Sequence, residues 1–213
     1  MNTACSSSMY CLHAAISAVK AGDCDSAIVA AANLIMAPEQ HLETMKGGVL
    51  SATSTCKTFD ASADGYGRAE GVNAVYIKRL SSALRDNDKV WGVIRATALN
   101  AYVNIFLHGR YLIVLVNANK LLVRNGKTPG ISQPSADLQE AVIRKAYANA
   151  GLAFADTDYI ECHGTGTAVG DVVEVNALKR CFCPRDGPPL MIGSVSIIRF
   201  PLFAFKYYNV MIR

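Results

Sequence analysis

The sequence predicts an α/β layered fold, and three observations carry that prediction. Helix-period and strand-like segments alternate along the 213 residues. The two longest helical segments end at glycines, Gly22 and Gly151, placed as stop signals. The first strand-like segment is a continuous run of small and β-branched residues, the composition of a strand covered on both faces.

Taken in order, Met9, Leu12, Ile16 and Val19 recur at three- and four-residue steps between Ser6 and Ala21, which predicts an amphipathic helix. Residues 25–35 (DSAIVAAANLI) predict a buried strand. Pro38 to Met45 predicts a short helix. Lys46 to Gly71 is rich in Gly, Ser, Thr and Asp and predicts a long surface loop able to carry function. Val72–Lys78 and Val90–Leu99 predict strands, with helical potential at Ser81–Asp86 between them. Ser135 is placed to cap a helix that runs to Ala150, with Asp137 in its first turn. Tyr159–Cys162 predicts a short strand that delivers a glycine-rich turn. A helix over Asp171–Arg180 and a strand over Leu190–Val195 follow.

Composition narrows the function classes. Half the residues are hydrophobic and 18% are charged, an ordinary globular mix. The net charge is +4, and the 21 Lys and Arg are scattered, so no dense basic stripe for nucleic acid is present. Seven cysteines, an odd number without paired spacing, argue against a disulfide framework and for a reducing, cytoplasmic setting. Cys181 and Cys183 form a lone C-x-C with no second ligand pair, which argues for idle thiols over a metal site. Met1 leads into a polar run, so no leader is expected. The most apolar stretch, Tyr111 to Val116, is far short of the roughly 20 residues that span a bilayer, and no membrane partner is expected.

Two segments carry chemistry. Cys5 stands where the first helix begins. A thiol there feels the positive helix end and the unpaired N–H groups, which favour the attacking thiolate and could hold an oxyanion. Position alone equally allows a small buried thiol near a helix cap. In the second segment, Glu161-Cys162-His163-Gly164-Thr165-Gly166-Thr167, a histidine follows a strand and precedes a helix. Its glycines allow close approach of a ligand, and Thr165 and Thr167 supply hydroxyls. The spacing of Gly164, Gly166 and Gly170 does not fit a dinucleotide loop.

Thr3-Ala4-Cys5-Ser6-Ser7-Ser8 resembles the active-site motif of β-ketoacyl synthases. Glu161 to Leu178 (ECHGTGTAVGDVVEVNAL) resembles the second signature of that family, and Thr58 to Gly71 resembles a third block that braces the active-site entrance. The resemblance covers residues 1–101 and 125–195. With Ser54-Thr55-Cys56-Lys57, the third block looks most like iterative fungal polyketide synthases. It implies a partial thiolase-like αβαβα layered fold, incomplete at both ends. It further implies Cys5 as the acyl-accepting nucleophile and His163 as one of two histidines that promote decarboxylation of a malonyl unit. Thr165 and Thr167 match contacts to the phosphopantetheine arm of an acyl carrier protein. The expected partners are that carrier, acyl and malonyl thioesters and other synthase domains, and complete relatives are homodimers. The domain itself is expected to bind no cofactor and no metal. Asp171 and Glu174 match the family's helix-opening acids and are read as matching the helix dipole. His13 and His41 match no catalytic position and are read as structural or exposed. Thiolases and chalcone synthases share the Cys–His logic, but these blocks are of the elongating type.

The chain departs from the family in four places. Asn2 stands where an Asp is usual, and the nucleophile lies almost at the start of the chain. Residues 102–124 have no counterpart. Removing them joins Ala101 to Asn125 in an uninterrupted family segment, and a translated intron accounts for them, since Ala101-Tyr102-Val103 can be encoded across a GTAYGT donor. After Val195 the lysine and second catalytic histidine of the family do not follow, which an unspliced intron or a pseudogene explains. The expected division is therefore 1–101 from the N-terminal lobe, 102–124 as insertion, 125–195 as the start of the C-terminal lobe and 196–213 as a non-family tail. The expected function is decarboxylative Claisen condensation by the family, inactive in this chain alone. The alternative is a non-catalytic remnant.

Overall fold

A computed structural model of the chain describes residues 1, 3–100, 111–116, 120–122, 134–194 and 207–212. Most of the expected insertion and the first part of the expected tail lie outside the described residues. Helix α1 (Ser7–Ala21) is followed by β1 (Ser26–Asn33), α2 (Pro38–Lys46), β2 (Gly71–Arg79), α3 (Leu80–Arg85) and β3 (Gly92–Asn100). Then come β4 (Tyr111–Val116), β5 (Lys120–Leu122), α4 (Ala136–Ala150), β6 (Tyr159–Glu161), α5 (Gly170–Phe182), β7 (Met191–Gly193) and β8 (Tyr207–Ile212). The architecture is the alternating, layered α/β arrangement that the sequence predicts.

Local signals act as expected at the helix ends. Gly22 and Gly151 both adopt the left-handed conformation and return their N–H groups to the last turns of α1 and α4. The Ser135 side chain accepts the N–H of Leu138 and so caps α4.

The larger sheet has the order β1-β2-β8-β3-β4-β5, and β6 pairs in parallel with β7 in a second, two-stranded sheet. Two apolar cores form around these sheets. In the first, Leu12, Ile16 and Val19 of α1 pack on Val29, Ile77 and Ile94. In the second, Val142, Ile143, Ala146 and Tyr147 of α4 meet Ile160, Leu178 and Phe182, with Ala98 of β3. Strand β3 thus faces both cores, giving Ile94 to one and Ala98 to the other. The aromatic rings of Tyr147, Phe154 and Phe182 close the second core at centroid separations of 4.5–5.7 Å, tilted or edge-on.

Two expectations need correction. The first strand is not buried on both faces: Val29 is buried, but Ile28 is 73% exposed. Helix α1 packs on one face of β1 and no other described helix packs on the strand comparably, so the residues that alternate with Val29 stay largely exposed. Sequence reasoning also assigned no strands to 111–116, 120–122 or 207–212, yet these form β4, β5 and β8. Apolar runs such as YLIVLV and YYNVMI satisfy their backbone groups by joining a sheet. Strand β8 lies between β2 and β3, parallel to both. No described helix is long and apolar enough to cross a membrane.

Candidate functional site

Cys5 sits in a tight turn that its neighbours close almost unaided. Ala4 adopts φ 55°, a left-handed conformation that costs a non-glycine residue energy and reverses the chain just ahead of the helix. The serines hold this turn. Ser7 N–H donates to Ala4 O at 3.1 Å, and the Ser7 hydroxyl donates to the same carbonyl while accepting Thr3 N–H at 2.8 Å. The buried Ser6 hydroxyl donates backward to Thr3 O at 2.8 Å and lies 3.0 Å from Thr3 Oγ1. Because Ser6 points away from the helix, α1 begins with no side-chain cap hydrogen bond. Cys5 stands just ahead of the first turn of α1 and is exposed.

His163 is held in the opposite manner, by residues distant in sequence. The peptide units on either side of its imidazole are fixed from three directions. Glu174 of α5 accepts His163 N–H at 2.7 Å with one carboxylate oxygen and Gly164 N–H at 3.0 Å with the other. Thr58 donates to Gly164 O at 2.6 Å, and Ser194 donates to His163 O at 3.3 Å. Asp171 bridges the two loops, accepting Phe59 N–H at 2.7 Å and Gly166 N–H at 3.1 Å. Gly65 N–H then donates to Gly166 O at 2.8 Å. Glu174 and Asp171 are both at least 95% buried, so each is a carboxylate stabilised by amide donors rather than by water. The loop that carries Thr58, Phe59 and Gly65 therefore clasps the His163 loop.

Gly164 and Gly166 are needed where they stand. Both have positive φ, 49° and 73°, and a Cβ on Gly164 would lie 2.5 Å from Thr58 Cγ2 and Ser194 Cβ. Thr165 and Thr167, half-buried, have their hydroxyls 2.9 Å apart, and Thr167 Oγ1 also accepts Gly170 N–H at 3.2 Å. The two threonines are thus brought together with each other. Cys5 and His163 stand on different elements, and the hydrogen bonds described for their two turns share no residue. What relates them is β3, onto which both cores pack.

Two of the remaining thiols, Cys162 and Cys181, are buried, unlike Cys5. Burial, followed by the charge of Glu174, pushes the Cys162 thiol far up and keeps it protonated. Cys181 is raised to about 11, again chiefly by burial. Cys183 is exposed beyond the end of α5, so the C-x-C pair divides between core and solvent. Tyr159, raised to about 12 by burial and then by its hydrogen bond to Glu161, donates to that carboxylate at 2.6 Å. His41 is exposed and borders a shallow apolar cleft with Ile35, Met36 and Leu42.

Sequence reasoning missed the part Asp171 and Glu174 play. It read them as matching the α5 dipole, and Asp171 does lie in the first turn of α5, but Asp171 also joins the two loops and Glu174 holds the amides of His163 and Gly164. The signal was present: two acids three residues apart share one helix face, with Ala177 and Leu178, both buried, one turn on.

Comparison with known proteins adds a second line of evidence. The profile of the beta-ketoacyl synthase N-terminal domain matches residues 1–83, and that of the C-terminal domain matches residues 117–197. The chain is 61% identical over 195 residues to the highly reducing polyketide synthase srdA of Neurospora crassa, covering 92% of this chain and 7% of that protein. It is 58% identical over 196 residues to the highly reducing polyketide synthase fogA of Aspergillus ruber, with the same coverage. Among solved structures it resembles the oxazolomycin ketosynthase domain OzmH KS7 of Streptomyces albus JA3453, at 37% identity and TM-score 0.72, over 91% of this chain and 30% of that one. It also resembles the ketosynthase from module 6 of the bacillaene synthase of Bacillus subtilis 168, at 32% identity and TM-score 0.75, over 92% and 32% of the two chains.

Proposed function

The chain belongs to the beta-ketoacyl synthase family, and from that premise we propose that it carries the acyl-accepting half of a polyketide-type Claisen condensation. Cys5 is the nucleophile. Its thiolate attacks the carbonyl of an acyl thioester delivered on the phosphopantetheine arm of an acyl carrier protein. The new carbon–sulfur bond forms as the carrier's thiolate leaves and takes up a proton. First-turn N–H groups of α1 beyond Ser7, whose own N–H is held by Ala4 O, stabilise the oxyanion between those two events. The paired hydroxyls of Thr165 and Thr167 bind the polar arm of the carrier.

His163 serves the next step. A malonyl thioester loses carbon dioxide, and the enolate left behind attacks the acyl-cysteine carbonyl as the Cys5 thiolate departs. An imidazole whose backbone is clasped on both sides is suited to donate a hydrogen bond to that enolate oxygen. Two imidazoles share this task in the family, and His163 is the one that this chain's motifs supply. Acylation of Cys5 comes first and needs the thiol alone, and condensation draws on both imidazoles. The carrier and the other domains of a synthase are its proposed partners.

The observation that carries this reading is the Cys5 turn, where a strained residue and three hydroxyl side chains present one thiol at an uncapped helix end. The test is incubation of the full chain with a short acyl thioester of N-acetylcysteamine, followed by peptide mass spectrometry. Saturable acylation confined to Cys5, lost by about a thousandfold or more in Cys5→Ala, is expected. Equal labelling of all exposed cysteines would instead mark a non-catalytic remnant.

A further inference from the structure

His13 has no place in the chemistry above, yet its position is specific. It lies about two turns beyond Cys5 on α1, half-buried, with its ring Nδ1 2.7 Å from the Thr97 hydroxyl of β3. Thr97 is itself buried, at 8% exposure. Its carbonyl accepts the side-chain N–H of Asn149, from α4, at 3.3 Å. One residue of the shared strand is thus bonded through its side chain to α1, the helix that follows Cys5, and through its backbone to α4. The arrangement continues to the other station. In α4, Arg144 donates to the Arg180 carbonyl of α5 at 3.0 Å, and Asp137 pairs with the Arg180 guanidinium. Helix α5 in turn supplies Glu174 and Asp171, which hold the His163 loop.

Two directional contacts add to the apolar packing of α1: near its end Arg79 donates to Val19 O from Nε at 3.1 Å and Nη2 at 2.9 Å, and nearer Cys5 His13 meets Thr97. Leu12, Ile16 and Val19 bury surface against Val29, Ile77 and Ile94, an attraction that is largely non-directional. A hydrogen bond between two partly desolvated groups is directional, and separating them leaves both without a partner. We propose that His13 is a positioning residue, pinning α1 to Thr97 so that the Cys5 turn and the His163 loop keep a fixed relation across β3. The inference rests on the proposed function for its catalytic consequence, but the pin itself is a structural statement.

The role predicts a pattern that simple loss of packing does not. His13→Asn keeps a nitrogen or oxygen near the position of Nδ1, His13→Ala removes it, and Thr97→Val removes the partner without changing the side chain's shape. In the full chain, His13→Ala and Thr97→Val should each slow Cys5 acylation by about fivefold to tenfold, with the double variant no slower than either. His13→Asn should stay within about twofold of the parent. The same four proteins are compared by denaturant unfolding, where the two single losses should again fail to add. If the losses multiply, or His13→Asn is as impaired as His13→Ala, the pin is overturned. If the unsubstituted chain is not acylated at Cys5, the proposed function fails, and the unfolding comparison still decides whether the pin exists. Should His13→Ala not fold, Thr97→Val and His13→Asn with their double variant decide the same question.

Discussion

The turn at Cys5 and the loop at His163 solve the same problem by opposite means. Every hydrogen bond described above for the Cys5 turn joins residues within 3–7, with backbone strain at Ala4 offset by the hydroxyls of Ser6 and Ser7. The His163 loop is held by Thr58, 106 residues away, and by Glu174 and Ser194. A locally closed turn forms whenever its few residues are present and in contact. A loop clasped from afar forms only when separate elements have already assembled, because the closure entropy must be met before its contacts return anything. The nucleophile is therefore the robust station and the histidine the conditional one.

The widest gap between the two regions should appear at Glu174. Glu174→Ala strips the acceptor from two amide donors next to His163, one of them buried, and should destabilise the chain by about 2–4 kcal/mol in denaturant unfolding. Hydrogen–deuterium exchange should rise in residues 160–170 and remain unchanged in the first turn of α1. Equal loosening of both segments would break the distinction. Thr58→Val tests the clasp from its other side. It removes the donor to the Gly164 carbonyl at nearly constant volume, and about 1–2 kcal/mol of stability should go with it. Against these, Ser7→Ala should cost under about 1 kcal/mol, since the hydroxyl lies near solvent and water replaces it. Its effect should fall instead on the rate of Cys5 acylation, through a looser turn.

The same contrast explains what was legible in the sequence. Helix α1, its stop at Gly22 and the Ser135 cap of α4 are local signals, and each appears where the pattern puts it. So does Cys5 at a helix start. The clasp was not legible, because nothing near Thr58 states that its hydroxyl will meet Gly164, and nothing near Glu174 states which amides it will face. Strand β1 misled for a related reason. Its run of small and β-branched residues reports what a strand can tolerate on both faces, not which layers actually cover them. Strands β4 and β8 lie outside both matched family profiles and β5 lies at the start of the second, and their pairing depends on which strands lie beside them, as for any strand.

The smallest expected effect concerns His13, and its sign follows from where the ring lies. Burial, assisted by the positive charge of Lys145 on α4, lowers the affinity of His13 for a proton below the free value of 6.5. The folded chain therefore favours neutral imidazole. Above about pH 6.5 neither state is protonated and the full stability is present. As the pH falls below that value, the unfolded chain takes up the proton first, so the unfolding midpoint should drop until the folded ring titrates too, then cease to respond to this group. Asp and Glu titrate lower, so the window just below pH 6.5 is nearly clear of them. His13→Asn lacks the group, and the difference between its midpoint and that of the parent should narrow by this increment on acidification. A difference that is flat from pH 7.5 to 5.5 would mean that the ring is as well solvated as in the unfolded chain. The polar long-range contact of α1 would then rest on Arg79, which donates to Val19 O at the far end of the helix, and α1 would be less firmly tied to β3 than the His13–Thr97 bond implies.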